Sequence, residues 1–142
     1  MSKNKQLVIM FLISVPFSIM NFTAYLMGNM PSLLQALSSI LFMIIWFVFG
    51  CMRYQKQKEY MLLSTVFWFV GALLLASGYY FNIAEISIPA VLIWPGPAYG
   101  IRYFLETPSE ITLALILVMI CYGCSTAGVI VGKLFAVIRK RL

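Results

Sequence analysis

The chain reads as an all-α integral membrane protein, a four-helix bundle with both termini on the cytoplasmic side and a long structured outer loop between helices three and four. Three observations carry that expectation. Of 142 residues, 63% are hydrophobic and 10% charged, more apolar surface than a soluble domain of this length can hide. The apolar residues fall into four runs, each near the ~20 residues that cross a bilayer as helix. Lys3, Lys5, the Arg53–Lys58 cluster, Lys133 and the closing Arg139-Lys-Arg all flank one set of run ends. The other set has Arg102 as its lone cation, together with Glu85, Glu106 and Glu110. Basic side chains resist translocation, so the Lys- and Arg-rich ends are expected inside.

Span one is expected at residues 7–26. Its flanking lysines could pass for the start of a signal peptide. The apolar run is too long for that, however, and Phe22, two positions before Ala24, is too large for a cleavage motif, so an uncleaved span is expected. Pro16 removes a backbone donor mid-span and is expected to kink the helix. Gly28-Asn-Met-Pro31 divides the uncharged stretch with turn-forming residues, and span two follows at 33–52. The polar linker 53–59 leads to span three at 60–81.

Residues 82–109 form the long outer connection. Its 86–94 portion is apolar, but Pro89, Pro95 and Pro97 exclude a spanning helix. A loop this long and apolar is expected to pack onto something. The expectation is that it lies across the outer helix ends, with a short helix from about Ala98 to Leu105 and an exposed Arg102–Glu106 pair. Span four, 110–132, opens with Thr107-Pro-Ser-Glu110, a capping box with Pro at the first helical position. Its helix is expected to continue toward Arg139. Tyr25, Tyr79, Tyr80, Trp94, Tyr99 and Tyr103 are expected at the outer boundary and Tyr54 and Tyr60 at the inner one, as suits the bilayer interface. The whole is a single transmembrane domain, expected in a cell membrane and by preference a bacterial plasma membrane.

The net charge of +6 is split among segments that flank apolar runs. It points to anionic headgroups and not to nucleic acid.

Cys121-Tyr-Gly-Cys124 is similar to the CxxC of four-helix membrane thiol oxidoreductases, the vitamin K epoxide reductase family and the bacterial quinone-linked disulfide formers. That resemblance would imply redox chemistry at Cys121 and Cys124. The position argues otherwise, because Cys121 lies roughly 15 Å into span four and the outer loops hold no second cysteine pair. Cys121, Cys124, Gly128 and Gly132 instead form a small-residue stripe suited to helix packing, with Ala72 and Ala76 of span three as the expected partner face. Small four-helix multidrug exporters use a carboxylate buried in the membrane, whereas all four acids here lie in loops or at helix ends. The Asn21-Phe-Thr23 sequon falls inside a span and is idle.

Neutral polar groups cluster toward the outer leaflet. Asn21, Thr23, Gln35, Ser77, Glu85, Arg102, Glu110 and Thr112 are the candidate lining of an outward-facing polar pocket roofed by the Pro-Gly-Pro loop. The alternative is that Asn21 and Gln35 hold the first helical hairpin together. No catalytic residue, metal cluster or cofactor motif is expected. The leading expectation is a non-enzymatic interaction, accessory or envelope-protection protein. Its partners would be the lipid bilayer and another membrane protein or a second copy. A small transporter or channel for an uncharged or lipidic solute and a thiol oxidoreductase using Cys121 and Cys124 are the alternatives.

Overall fold

A computed structural model of the chain describes residues 3–105 and 110–139, with the side chains of all of these except Lys3 and Glu110. The Thr107–Glu110 cap and the Arg102–Glu106 pair fall outside the described residues. Everything described is helix and short turn, with no strand. Helix α1 is Lys3–Leu26, α2 is Leu33–Met52, α3 is Gln57–Phe81, α4 is Ala84–Ile93 and α5 is Glu110–Arg139. A 3-10 turn, Tyr54–Lys56, joins α2 to α3, and a 3-10 helix, Gly96–Phe104, follows α4. Four helices (α1, α2, α3 and α5) are long and apolar enough to cross a membrane, and α4 is a shorter apolar helix.

Local chemistry sets the helix ends. Gly28 takes φ 65° and ends the turn after α1 without a Cβ clash. Ser32 caps α2 by accepting from the Gln35 backbone N–H, and the Gln35 side chain accepts from the Ser32 N–H in return. This reciprocal box was not anticipated from the sequence. Asn82, at φ 53°, closes α3 in a left-handed cap, a conformation that asparagine tolerates better than most residues. Pro16 sits within α1, which runs on as one helix to either side.

The Lys5, Arg53–Lys58 and Lys133–Arg139 segments share one end of the bundle, hereafter the basic end. There Gln6 of α1 donates to Glu59 of α3 at 3.2 Å. Helix α2 packs along α5, while α3 packs against both α4 and α5.

The α2–α5 contact is backbone on backbone. A Cβ at Gly128 would collide with the Phe47 carbonyl of α2, one at Gly132 with Cys51, and one at Gly50 with the Ser125 carbonyl. Lipid tails are as apolar as the helix faces, so close van der Waals approach is what holds such helices together. The small-residue stripe of α5 therefore packs, but on α2 and not on the Ala72/Ala76 side of α3. Gly50 explains the difference: it is the residue on α2 that lets two backbones meet. On its α3 side, α5 is tied by hydroxyls instead. Ser125 bonds Tyr60 at 2.7 Å and Ser64 at 2.9 Å, and Tyr122 bonds Thr65 at 2.9 Å.

The segment expected as a roof is a hairpin that enters the bundle. After Asn82 the chain turns back along α3 as α4, reverses at Trp94-Pro-Gly-Pro97, and returns as the 3-10 helix against α1 and α2. The Trp94 ring occupies the space where Gly71 lacks a side chain. Gly71 is ten residues before the end of α3, about 15 Å along its axis. The hairpin tip thus lies well inside the bundle, at a distance from the α3 end equal to about half of a ~30 Å hydrocarbon layer. An aromatic cluster forms around it, with Phe67 5.5 Å from Trp94 and 5.6 Å from Trp46, and Trp46 5.1 Å from Trp68.

Candidate functional site: the inserted hairpin and its seam with α1

Broken helix deep in a bundle exposes carbonyl and N–H groups that need partners, since an unpaired group in an apolar surrounding costs several kcal/mol. Three side chains of α1 and α2 answer that need. Ser18 donates to the Leu92 carbonyl. Ser39 donates to the Pro97 carbonyl at 2.9 Å and accepts from the Gly100 N–H at 3.0 Å and from Asn21 Nδ2 at 3.1 Å. One donor and two acceptor positions is all that a serine hydroxyl has, so Ser39 is saturated. Asn21 also donates to the Pro97 carbonyl at 3.0 Å and faces the Phe17 carbonyl at 3.2 Å. Both are acceptors only, which fixes the orientation of its amide. Trp94 supplies a further tie, donating to the Phe67 carbonyl at 2.7 Å.

Close approach completes the seat. A Cβ on Gly100 would fall on the Gln35 carbonyl of α2, so only glycine lets the 3-10 helix lie this near. At the mouth, Arg102 donates to the Gly28 carbonyl at 2.9 Å and to the Tyr99 hydroxyl, and Tyr99 donates to the Asn29 carbonyl at 3.0 Å. Arg102, the one cation of this end among the described residues, thereby pins the hairpin to the α1–α2 turn.

The eight residues proposed from sequence as a polar pocket are distributed differently. Asn21 is fully buried beneath the hairpin. Gln35 reaches the Met20 carbonyl at 2.9 Å while closing the α2 cap. Each side chain bridges α1 and α2, as the hairpin-glue alternative has it, although they do not bond each other. Thr23, Glu85 and Thr112 are exposed. Ser77 bonds back to the Leu74 carbonyl of its own helix at 3.1 Å. Arg102 is committed as described, and the Glu110 side chain is outside the described residues. None of the seven whose side chains are described lines the cavities at the α1–α4 seam or at the basic end. The region meant to lie open under a roof is filled by the hairpin itself.

Sequence reasoning assigned no site role to Ser18, Ser39 or Gly100, used Pro97 only to exclude a spanning helix, and put Trp94 at the outer boundary, whereas the structure seats its ring against Gly71. A detectable signal existed: serines at 18 and 39 beside Asn21, in spans otherwise apolar, together with an apolar proline-rich segment too short to cross.

The seam between α1 and α4 holds the largest of the cavities described, about 470 Å³, lined by Phe11, Ser14, Val15, Ser18, Ile19, Phe22, Leu92 and Ile93. Its two hydroxyls are already engaged, Ser14 with the Met10 carbonyl and Ser18 with Leu92. Farther from the basic end, the same seam narrows to a cleft of about 120 Å³ between Tyr25, Leu26, Tyr79, Ser87, Ile88 and Val91. A separate cavity of about 320 Å³ lies at the basic end between α2 and α5, beside Cys51, Tyr54 and Arg139.

Cys51, Cys121 and Cys124 are free thiols; Cys121 is buried and Cys124 half-buried. Among the described residues no three metal-ligating side chains come together.

Replacing Ser39 with alanine should leave the Gly100 N–H without its acceptor and remove one of the two donors to Pro97. The expected loss is about 1–2 kcal/mol, at the upper end of hydrogen bonds measured between membrane helices. Denaturation in mixed micelles by graded SDS would read it. Asn21→Ala should lose less, about 1 kcal/mol or under, because Ser39 still serves Pro97. No family model, curated protein or solved structure matches this chain.

Proposed function

We propose that the protein is a non-enzymatic membrane interaction protein, an accessory or envelope-protection component. In this reading it crosses a bacterial plasma membrane four times, with both termini in the cytoplasm. The observation that carries the reading is that the polar side chains gathered at the hairpin and between α3 and α5 serve the chain itself, although Asn21 Oδ1 and the indole N–H groups of Trp46 and Trp68 are buried without a hydrogen-bond partner. Ser18, Ser39, Asn21 and Arg102 hold the chain's own backbone, and Tyr60, Ser64 and Ser125 hold one another. What the bundle offers to others is apolar helix face, together with exposed aromatic pairs at the end opposite the basic one, Tyr80–Phe81 and Tyr103–Phe104. Such pairs suit a bilayer interface. The cytoplasmic placement of the termini rests on the gathering of Lys and Arg at one end. A reporter fused within Arg53–Glu59 is expected to be active only in its cytoplasmic form, and an external signal would overturn the orientation.

Passage of a solute through the Asn21/Gln35 region draws less support, because the hairpin occupies that space. The redox alternative draws less still, because Cys121 is buried against neighbouring helices. In-membrane crosslinking followed by purification of the full chain tests the proposal. A discrete adduct with another membrane protein is expected, and recovery of monomer alone would overturn it.

A further inference from the structure

We propose that the cavity between α2 and α5 at the basic end binds an anionic phospholipid of the phosphatidylglycerol type, its phosphate held by Arg139 and Tyr54. The inference goes beyond the partner reading above and does not depend on it.

The unequal reach of two helices makes this cavity. Their backbones touch where Gly132 meets Cys51. Helix α2 then ends at Met52, whereas α5 runs on from Gly132 to Arg139, about 10 Å along its axis. The overhang faces the Tyr54–Lys56 turn, and about 320 Å³ lies beside it.

Polarity changes along that length. Val48, Met52 and Phe135 form an apolar wall whose side chains are all exposed at 46% or more. Tyr54 and the exposed Arg139 stand at the end where the chain leaves the bundle. Both have donors to give. The Tyr54 hydroxyl accepts from Gln55 Nε2 at 3.2 Å, which leaves its own proton free for an acceptor.

Charge identifies the occupant. No acid lines the cavity. Of the four in the chain, Glu85, Glu106 and Glu110 precede or open α5 at its far end, and Glu59 accepts from Gln6. Arg53, between two lining residues, is in the same position: its Nε and Nη2 are buried without a hydrogen-bond partner. The C-termini of α2 and α5 add about half a negative charge each. The full charges of Arg53, Lys133 and Arg139 outweigh them. A phosphate supplies the missing anion, and the guanidinium fork of Arg139 matches two of its oxygens.

Size and the apolar wall choose the source of that phosphate. About ten water-sized groups fill 320 Å³, enough for a phosphate and its glycerol but not for two acyl chains. The chains continue over Val48, Met52 and Phe135. A lipid therefore satisfies wall and cation together, whereas free phosphate satisfies the cation alone.

The test places the full chain in phosphatidylcholine nanodiscs with a phosphatidylglycerol that carries a photoreactive diazirine near the start of one acyl chain. Adducts are expected on residues 48–54 and 132–139. They should fall at least fivefold with excess unlabelled phosphatidylglycerol and persist with excess inorganic phosphate. Arg139→Gln should lower the labelling at least tenfold, and Tyr54→Phe about threefold. Lys133→Gln removes the same charge from an exposed position of α5 outside the cavity and should cost no more than about threefold. Equal losses from Arg139→Gln and Lys133→Gln would mean attraction to the basic surface at large and would overturn the site. Displacement by inorganic phosphate, or adducts spread evenly over the lipid-facing helices, would overturn it too. None of these results bears on the crosslinking to a protein partner, so the two readings stand or fall apart.

Discussion

Truncating Trp94 to alanine is expected to release the inserted hairpin, at a cost of about 3 kcal/mol or more. The indole is 5% exposed, lies against the bare backbone of Gly71 and stacks near Phe67. Alanine leaves a hole of nearly the whole ring, and the neighbours around it belong to rigid helices that close such holes poorly. The Phe67 carbonyl also loses its extra donor. Trp94→Phe keeps most of the packing and forfeits the hydrogen bond, so its loss should stay near 1 kcal/mol. Two measurements separate local from global effects. SDS titration gives the stability change, and amide exchange at Gly100, protected by Ser39 in the native protein, reports whether the hairpin has left its seat. Unchanged protection at Gly100 in Trp94→Ala would show that the tip is held without the ring.

Gly128→Leu is the second large effect, with an expected loss of about 3 kcal/mol. The added side chain is directed at the Phe47 carbonyl and the Cys51 N–H of α2. These are backbone atoms and cannot rotate away, so α2 and α5 must separate along their length and lose contact at Gly50 and Gly132 together. Overpacking of this kind typically costs 1–3 kcal/mol, and the close approach lost here is the main source of association between helices in lipid. Cys51, half-buried against Gly132 at the basic end, should be alkylated faster by a maleimide as the interface opens. A variant with native stability and unchanged reactivity at Cys51 would mean that α5 does not rest on α2 as described.

The four long helices were legible because lipid-facing segments announce themselves by length and composition. Turn chemistry at Gly28–Pro31 and the polar residues 53–59 separated three of them without ambiguity. The path of residues 84–104 was not legible. Proline content excluded a spanning helix, but the same residues suit a surface cap and an inserted hairpin alike. What decides between them is whether partners for the broken backbone exist elsewhere, and those partners, Ser18, Asn21 and Ser39, lie about sixty to eighty residues away in sequence. Local periodicity holds no information on that pairing. Asn21 and Gln35 were noticed for their polarity and assigned to an open pocket. The groups that Asn21 serves are main-chain carbonyls, which no side-chain pattern displays. The α5 stripe was visible as small residues, yet its partner helix was not, because Ala72/Ala76 and Gly50 are equally small on paper.

The hydrogen-bond partners and close backbone contacts described for the inserted segment precede it in the chain, although α5 also packs against its 3-10 helix. Ser18 and Asn21 come from α1, Ser39 and the Gln35 carbonyl from α2, and Phe67 and Gly71 from α3. Synthesis proceeds from the N-terminus, so a socket can be assembled before the plug emerges. The exposed carbonyls at Leu92 and Pro97 then meet waiting donors instead of bare hydrocarbon. Permuting the chain to deliver residues 84–104 first would put those groups into lipid with nothing to receive them.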